Sequence, residues 1–130
     1  MTNISINLGD AFLIDTPPNN QHLYIAIAKT GNEKYLFVNI TTKRPNSDTS
    51  CVLKPGANVP EFIIRESVIA YQFAREIESG TLTNLITPNS PIPKCSFDKN
   101  LLLQIQLGGI NSKRLKKKHK NALKTFLGIP

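Results

Sequence analysis

The sequence predicts a mainly β fold of the α+β class, a small antiparallel barrel followed by two C-terminal helices. Three observations carry that expectation. Five short runs rich in β-branched and aromatic residues lie between turn-forming clusters in the first 80 positions. Pro88, Pro91 and Pro93 then interrupt the chain where no regular helix continues. Beyond them, apolar residues recur at helical spacing behind capping residues. With 130 residues, 40% of them hydrophobic and 19% charged, the chain has the profile of one globular domain that buries a real core.

Residues 11–15 form the first expected strand, ended by Pro17, Pro18, Asn19 and Asn20. Residues 22–28 and 35–40 flank Gly31 and Asn32 and read as a hairpin. Residues 49–53 give a fourth strand closed by Pro55 and Gly56, and Phe62, Ile63 and Ile64 an apolar stretch without an assigned role. Residues 67–74 alternate, with Ile69, Tyr71 and Phe73 on one side, as a half-buried strand does. Strands at this spacing point to a closed or nearly closed barrel within residues 1–90. Residues 91–130 form the connection and helices. Ser96 or Asp98 is expected to cap the first helix, which carries Leu101, Leu102, Leu103, Ile105 and Leu107, with Gly108 and Gly109 ending it. Asn111 or Ser112 is expected to cap the second, with Leu115, Ala122, Leu123, Phe126 and Leu127 on its apolar side and His119 within that stripe as a buried core histidine.

The net charge of +7 is unevenly placed. Residues 1–110 hold nine bases and all nine acids, whereas residues 111–130 hold seven bases and no acid. A neutral body with a cationic end fits a polyanion contact through Lys113, Arg114, Lys116, Lys117 and Lys120, or a solvated helix face. Cys51 and Cys95 lack zinc or redox spacing and are too few for a disulfide framework. The expectation is therefore a cytoplasmic protein without metal or cofactor. The amino terminus has no signal-peptide pattern, and no apolar run is long enough to span a membrane.

Three segments bring a family into view: Gly9-Asp10-Ala11-Phe12-Leu13-Ile14-Asp15, Val38-Asn39-Ile40-Thr41-Thr42 and Ala122-Leu123-Lys124-Thr125-Phe126-Leu127-Gly128-Ile129. Together with Ser67-Val68-Ile69-Ala70-Tyr71-Gln72 they resemble the PemK/MazF toxins in sequence and order. The resemblance implies an SH3-like barrel with a closing helix, and a homodimeric, metal-independent endoribonuclease that cuts single-stranded RNA and is restrained by an antitoxin. The chain departs from the family pattern at two places. Gln21-His22-Leu23 occupies the position of the Arg-Pro pair that starts the second strand. Gln72 is followed by Phe73 and Ala74 before Arg75 and Glu76.

Metal-free RNA cleavage needs a base for the 2′-hydroxyl, donors for the phosphorane and an acid for the leaving 5′-oxygen. His22 at a strand start is the acid–base candidate, against an ordinary strand-end histidine. Thr42, with Thr41 beside it, and Arg44 offer a hydroxyl and a planar donor fork. Arg75 and Glu76 form an alternative pair, against a surface ion pair. Asp48 reads as a turn residue and Cys51 as a small buried hydrophobe. The rivals to cleavage are a noncatalytic module of the same fold contacting a protein or nucleic acid, and a helix-turn-helix DNA binder at the carboxyl end. No P-loop, dinucleotide fingerprint or metalloprotease motif occurs.

Overall fold

Residues 4–16 and 20–130 are described by a computed structural model. Met1, Thr2, Asn3 and the expected loop residues Pro17, Pro18 and Asn19 lie outside them. The elements run β1 (Asp10–Thr16), β2 (Asn20–Gly31), β3 (Lys34–Thr42), β4 (Val52–Leu53), β5 (Ser67–Glu78), α1 (Ser79–Leu85), β6 (Cys95–Ser96), α2 (Lys99–Asn111) and α3 (Lys117–Leu127). The strands form one antiparallel sheet in the order β4-β5-β3-β2-β1-β6. It curls into a half-barrel whose outermost strands, β4 and β6, are two residues each. Such short edges offer little ladder for another chain to extend.

Alternation along the strands divides the side chains between two cores. The inner face carries Leu23, Ile25 and Ile27 of β2, Leu36, Val38 and Ile40 of β3, and Ile69 and Tyr71 of β5, covered by Leu101 and Ile105 of α2 and Leu123 of α3. The outer face carries Phe12, Ile14, Tyr24, Ala26, Tyr35, Phe37 and Ile77, covered by Leu82 of α1 and by Ile4, Ile6 and Leu8. A bulge between Phe37 and Asn39 lets β5 hold extra residues, Phe73 among them, which is exposed rather than aligned with Ile69 and Tyr71.

Four features differ from the sequence expectation. A third helix, α1, follows β5 directly. It is seven residues long, too short for a legible period, and Ser79 anchors it by donating its backbone N–H to the Glu33 carbonyl at 2.8 Å. A sixth strand, β6, pairs with Asp10 and Ala11 and brings residues beyond 91 into the sheet.

Gly108 and Gly109 do not end α2; they lie inside it, both buried. A Cβ on Gly108 would meet Cys51 Cβ at 2.9 Å and the Ser50 carbonyl oxygen at 3.0 Å, and one on Gly109 would meet Leu123 at 2.9 Å. The glycines let the helix backbone approach β5 and α3 closely, and that contact outweighs their low helix propensity. Asp98 does cap α2, accepting from the Leu101 N–H at 2.8 Å.

The fourth difference is that Ser112 caps a turn and not the last helix. Its Oγ accepts from the backbone N–H groups of Arg114 and Leu115, and α3 begins only at Lys117. Gly128 ends α3 with φ +71°, the left-handed conformation glycine permits. No helix among the described residues is long and apolar enough to cross a membrane.

Candidate functional site

The inner face is covered by α2 and α3 along much of its length but is open where β3 ends and β5 begins. Thr42 faces Ser67 in register there. Two adjoining cavities, of about 390 and 680 Å³, share Thr42 and Arg65 as walls. The first is floored by Leu13, Leu23 and Ile40 and edged by Gln21, Phe62 and Ile64. The second is walled by Lys43, Arg44, Thr49 and Glu66.

The connection between β4 and β5 supplies the apolar wall because its residues split between solvent and core. Ile63 is buried, while Phe62 and Ile64 on either side are 44% and 75% exposed. Phe62 is steadied by an edge-on contact with Phe97, ring centres 6.5 Å apart. On the other wall, Lys43 Nζ lies 3.3 Å from Glu66 Oε1, and the backbone of Lys43 bonds that of Glu66, tying the end of β3 to the start of β5. Arg44 opens a tight turn in which its N–H donates to Ser47 Oγ at 2.8 Å and its carbonyl accepts from the Ser47 N–H. The guanidinium of Arg44 is left at the groove wall, exposed.

Of the expected site residues, Thr42 and Arg44 therefore come together. His22 does not join them. It opposes Ile14 in register and alternates with Leu23, which places it, half-buried, on the outer face with Tyr24.

Arg75 and Glu76 lie five and six β3 residues from Thr42, since they face Phe37 and Leu36, a separation of roughly 17–20 Å. They also point to opposite faces. Arg75 approaches Tyr24 on the outer side; burial pushes the Tyr24 phenol up, with Arg75 opposing. Glu76 turns inward to Lys34 Nζ at 3.4 Å and His119 Nδ1 at 3.6 Å.

His119 is 5% exposed, in the apolar stripe of α3 as the pattern predicts. Its Nδ1 is buried beyond hydrogen-bond reach of a partner. Burial holds its pKa below the ordinary histidine range; Glu76 pulls the other way, and Lys118 and Lys116 add to the lowering.

Asp48 is more than a turn residue. Its Oδ1 accepts from the N–H and Oγ of Ser50, and its Oδ2 accepts from Ser112 Oγ at 2.6 Å. Burial alone would raise its pKa, but these hydrogen bonds and the Arg114 charge outweigh it and hold the carboxyl below its ordinary value. Arg114 Nη2 also donates to the Asn46 carbonyl at 2.7 Å. Cys51 is buried as expected, and desolvation pushes its thiol up to about 11, which leaves no thiolate for nucleophilic work. Among the tail bases, Lys120 donates to the Ser112 carbonyl and is half-buried, while Lys113, Lys116 and Lys117 are exposed.

Arg65 and Glu66 are groove residues that the sequence pattern did not single out, and Gln21 and Phe62 had no site role there. The available signal was local. A Phe and an Ile flank a buried Ile, and a base follows at once, in a segment with no strand period. No protein-family model matches the chain, and a search of characterised proteins returned no match.

Proposed function

We propose that this chain is a PemK/MazF-like barrel that binds single-stranded RNA along the open end of its inner face, as a noncatalytic module. The observation that carries the proposal is the convergence of Thr42 and Arg65 between an exposed apolar wall, Phe62 and Ile64, and a cationic wall, Lys43 and Arg44. An aromatic face on which a base can stack, beside donors that track a phosphodiester backbone, is how proteins hold single strands with little sequence preference. The imidazole that would serve acid–base chemistry lies on the other face, and Arg75 and Glu76 are distant.

A second reading, metal-independent cleavage, is favoured by one feature. Glu66 places a carboxylate in the same cavity as Thr42, Arg44 and Arg65, the groups that would stabilise a phosphorane. In that reading the carboxylate takes the 2′-hydroxyl proton as O2′ bonds to phosphorus, and the P–O5′ bond breaks with that proton returned to the departing 5′-oxygen.

The test is incubation of the purified protein with fluorescent single-stranded RNA in EDTA, with binding followed by anisotropy and integrity by gel. Saturable binding of intact RNA is expected. Products ending in a 2′,3′-cyclic phosphate that disappear in Glu66→Gln would establish the second reading, and absence of binding by wild-type protein would end both.

A further inference from the structure

Lys113, Lys116 and Lys117, exposed bases of the α2–α3 connection and α3, line neither cavity of the groove. The chain nonetheless fixes their position with unusual care. Ser112 Oγ donates to Asp48 Oδ2 at 2.6 Å while accepting from two N–H groups of its own turn. Arg114 Nη2 donates to the Asn46 carbonyl, and Asn46 lies within the Arg44–Ser47 turn. The other end of that turn is Arg44, a wall of the groove. A solvated helix face needs no such clasp, because charge on a flexible tail keeps a protein soluble equally well.

The acids along this surface are engaged while its bases are left to solvent. Glu66 is matched by Lys43, and Asp48 is engaged by Ser50, Ser112 and the Arg114 charge. Arg44, Lys113, Lys116, Lys117 and Lys118 remain exposed, and the chain has no acid after Asp98. Through the Arg114–Asn46 contact the Arg44–Ser47 turn of the groove wall meets the α2–α3 connection, which together with the start of α3 carries Lys113, Lys116, Lys117 and Lys118.

We infer that groove and tail form one continuous track, so that the ligand is an extended single-stranded RNA whose bases are held in the groove while its flanking phosphates lie on Lys113, Lys116 and Lys117. This rests on the RNA-binding proposal for the groove. It adds that the Asp48–Ser112 clasp is a positioning device and that ligand length, set by the distance to the tail, governs affinity. An extended strand fits better than a membrane surface because the exposed bases continue from a groove with hydrogen-bond donors and an aromatic wall, whereas a bilayer would need a flat apolar face beside them.

The experiment compares oligouridylates of four and twelve nucleotides by fluorescence anisotropy over a salt series. Wild type is compared with the triple variant Lys113→Glu, Lys116→Glu, Lys117→Glu and with the control Lys94→Glu. Wild type should bind the 12-mer at least about tenfold more tightly than the 4-mer, with the log–log salt slope of the 12-mer steeper by roughly 0.7 for each added phosphate contact. The triple variant should bind both lengths alike, and Lys94→Glu should keep the length dependence. Ser112→Ala should lie between them, because it loosens the clasp without removing charge.

Equal binding of both lengths by wild type, or full length dependence in the triple variant, would overturn the track while leaving the groove proposal standing. Failure of both lengths to bind wild type would remove the groove and the track together. Lysine-dependent binding to vesicles containing phosphatidylserine, with no RNA length dependence, would assign the tail to a membrane and overturn the inference.

Discussion

The helix-covered part of the inner face and its open end are built on the same strands, β3 and β5, yet treat polar groups in opposite ways. Under the helices, polarity is consumed internally. The Tyr71 hydroxyl donates to the Ile105 carbonyl at 2.6 Å, Gln106 Nε2 to the Ile27 carbonyl at 2.8 Å, and Glu76 faces Lys34 and His119. At the open end, Arg44 and Arg65 are exposed beside Thr42, and two large apolar side chains stand in solvent. Buried donors must be satisfied inside the fold, so those that the covered part contains report on packing. Donors and apolar groups left together at the open end are what the proposed RNA would engage. Arg75 and Glu76 looked like site residues in the sequence because adjacency along a strand hides that neighbours face opposite ways.

The largest effect expected comes from separating the two parts mechanically. Gly108→Val would drive a branched side chain into Cys51 and the Ser50 carbonyl and lift α2 from β5. Overpacking of this kind costs about 1–3 kcal/mol and sometimes more, and the upper end is expected here because one of the nearest atoms belongs to backbone. Chemical denaturation should show the loss as a lower midpoint. A variant as stable as wild type would mean that the helices do not clamp the covered part.

A double dissociation sharpens the contrast next. Arg65→Ala should weaken RNA binding about tenfold, the loss of one charge-assisted contact of roughly 1.5 kcal/mol, with little change in melting temperature. Glu76→Gln should do the reverse, leaving RNA affinity intact while costing at most about 1 kcal/mol of stability, since Glu76 and its partner Lys34 are partly exposed. Anisotropy and thermal denaturation on both variants decide it. If Glu76→Gln impaired binding as much as Arg65→Ala, the division between the two parts would be wrong.

The fold was more legible than the site, for a physical reason. The strand at residues 67–74 and the hairpin around Gly31 and Asn32 express local backbone preference, and both are elements of the structure, although Phe73 leaves the alternation and β6 continues the sheet beyond the proline cluster. The errors arose where a distant contact overrode such a preference. Gly108 and Gly109 carry the local mark of a helix end, but the glycines are required by Tyr71, Cys51 and Leu123, far away in sequence. His22 and Thr42 are both at strand ends, and only the register shows that they occupy different faces. Arg65 and Glu66 sit in an irregular connection with no period to mark them, and nothing local distinguishes them from ordinary surface charges.

Asp48 stands at the border between the two parts and gives a pH test of how the tail is held. Its carboxyl titrates below its ordinary value in the folded chain, so the unfolded chain binds its proton more readily. The stability it contributes is complete above the unfolded value, about 3.9, and is lost as pH falls through the lower folded value. Wild type should therefore lose stability below about pH 4 more steeply than Asp48→Asn, and a melting series from pH 6 to pH 2.5 reads the difference. Parallel curves would show that the clasp contributes nothing to the coupling of tail and barrel.

The smallest effect, and the most direct check on the covered part, concerns His119. It is a buried imidazole whose Nδ1 lies 3.6 Å from Glu76 without a hydrogen bond. Burial lowers its pKa more than Glu76 raises it, so the folded chain takes up the proton less readily than the unfolded chain. Stability is then full above the ordinary histidine value, about 6.5, and falls on acidification until the lower folded value is passed. His119→Leu removes an unsatisfied buried nitrogen and keeps an apolar side chain in the stripe, so its melting temperature at pH 7 should equal or exceed that of wild type. Between pH 7 and pH 5 wild type should lose stability that the variant retains. If wild type instead became more stable on acidification, the ion pair with Glu76 would outweigh desolvation. The covered end of the sheet would then hold a charge in reserve as the open end does, and the contrast between them would fail.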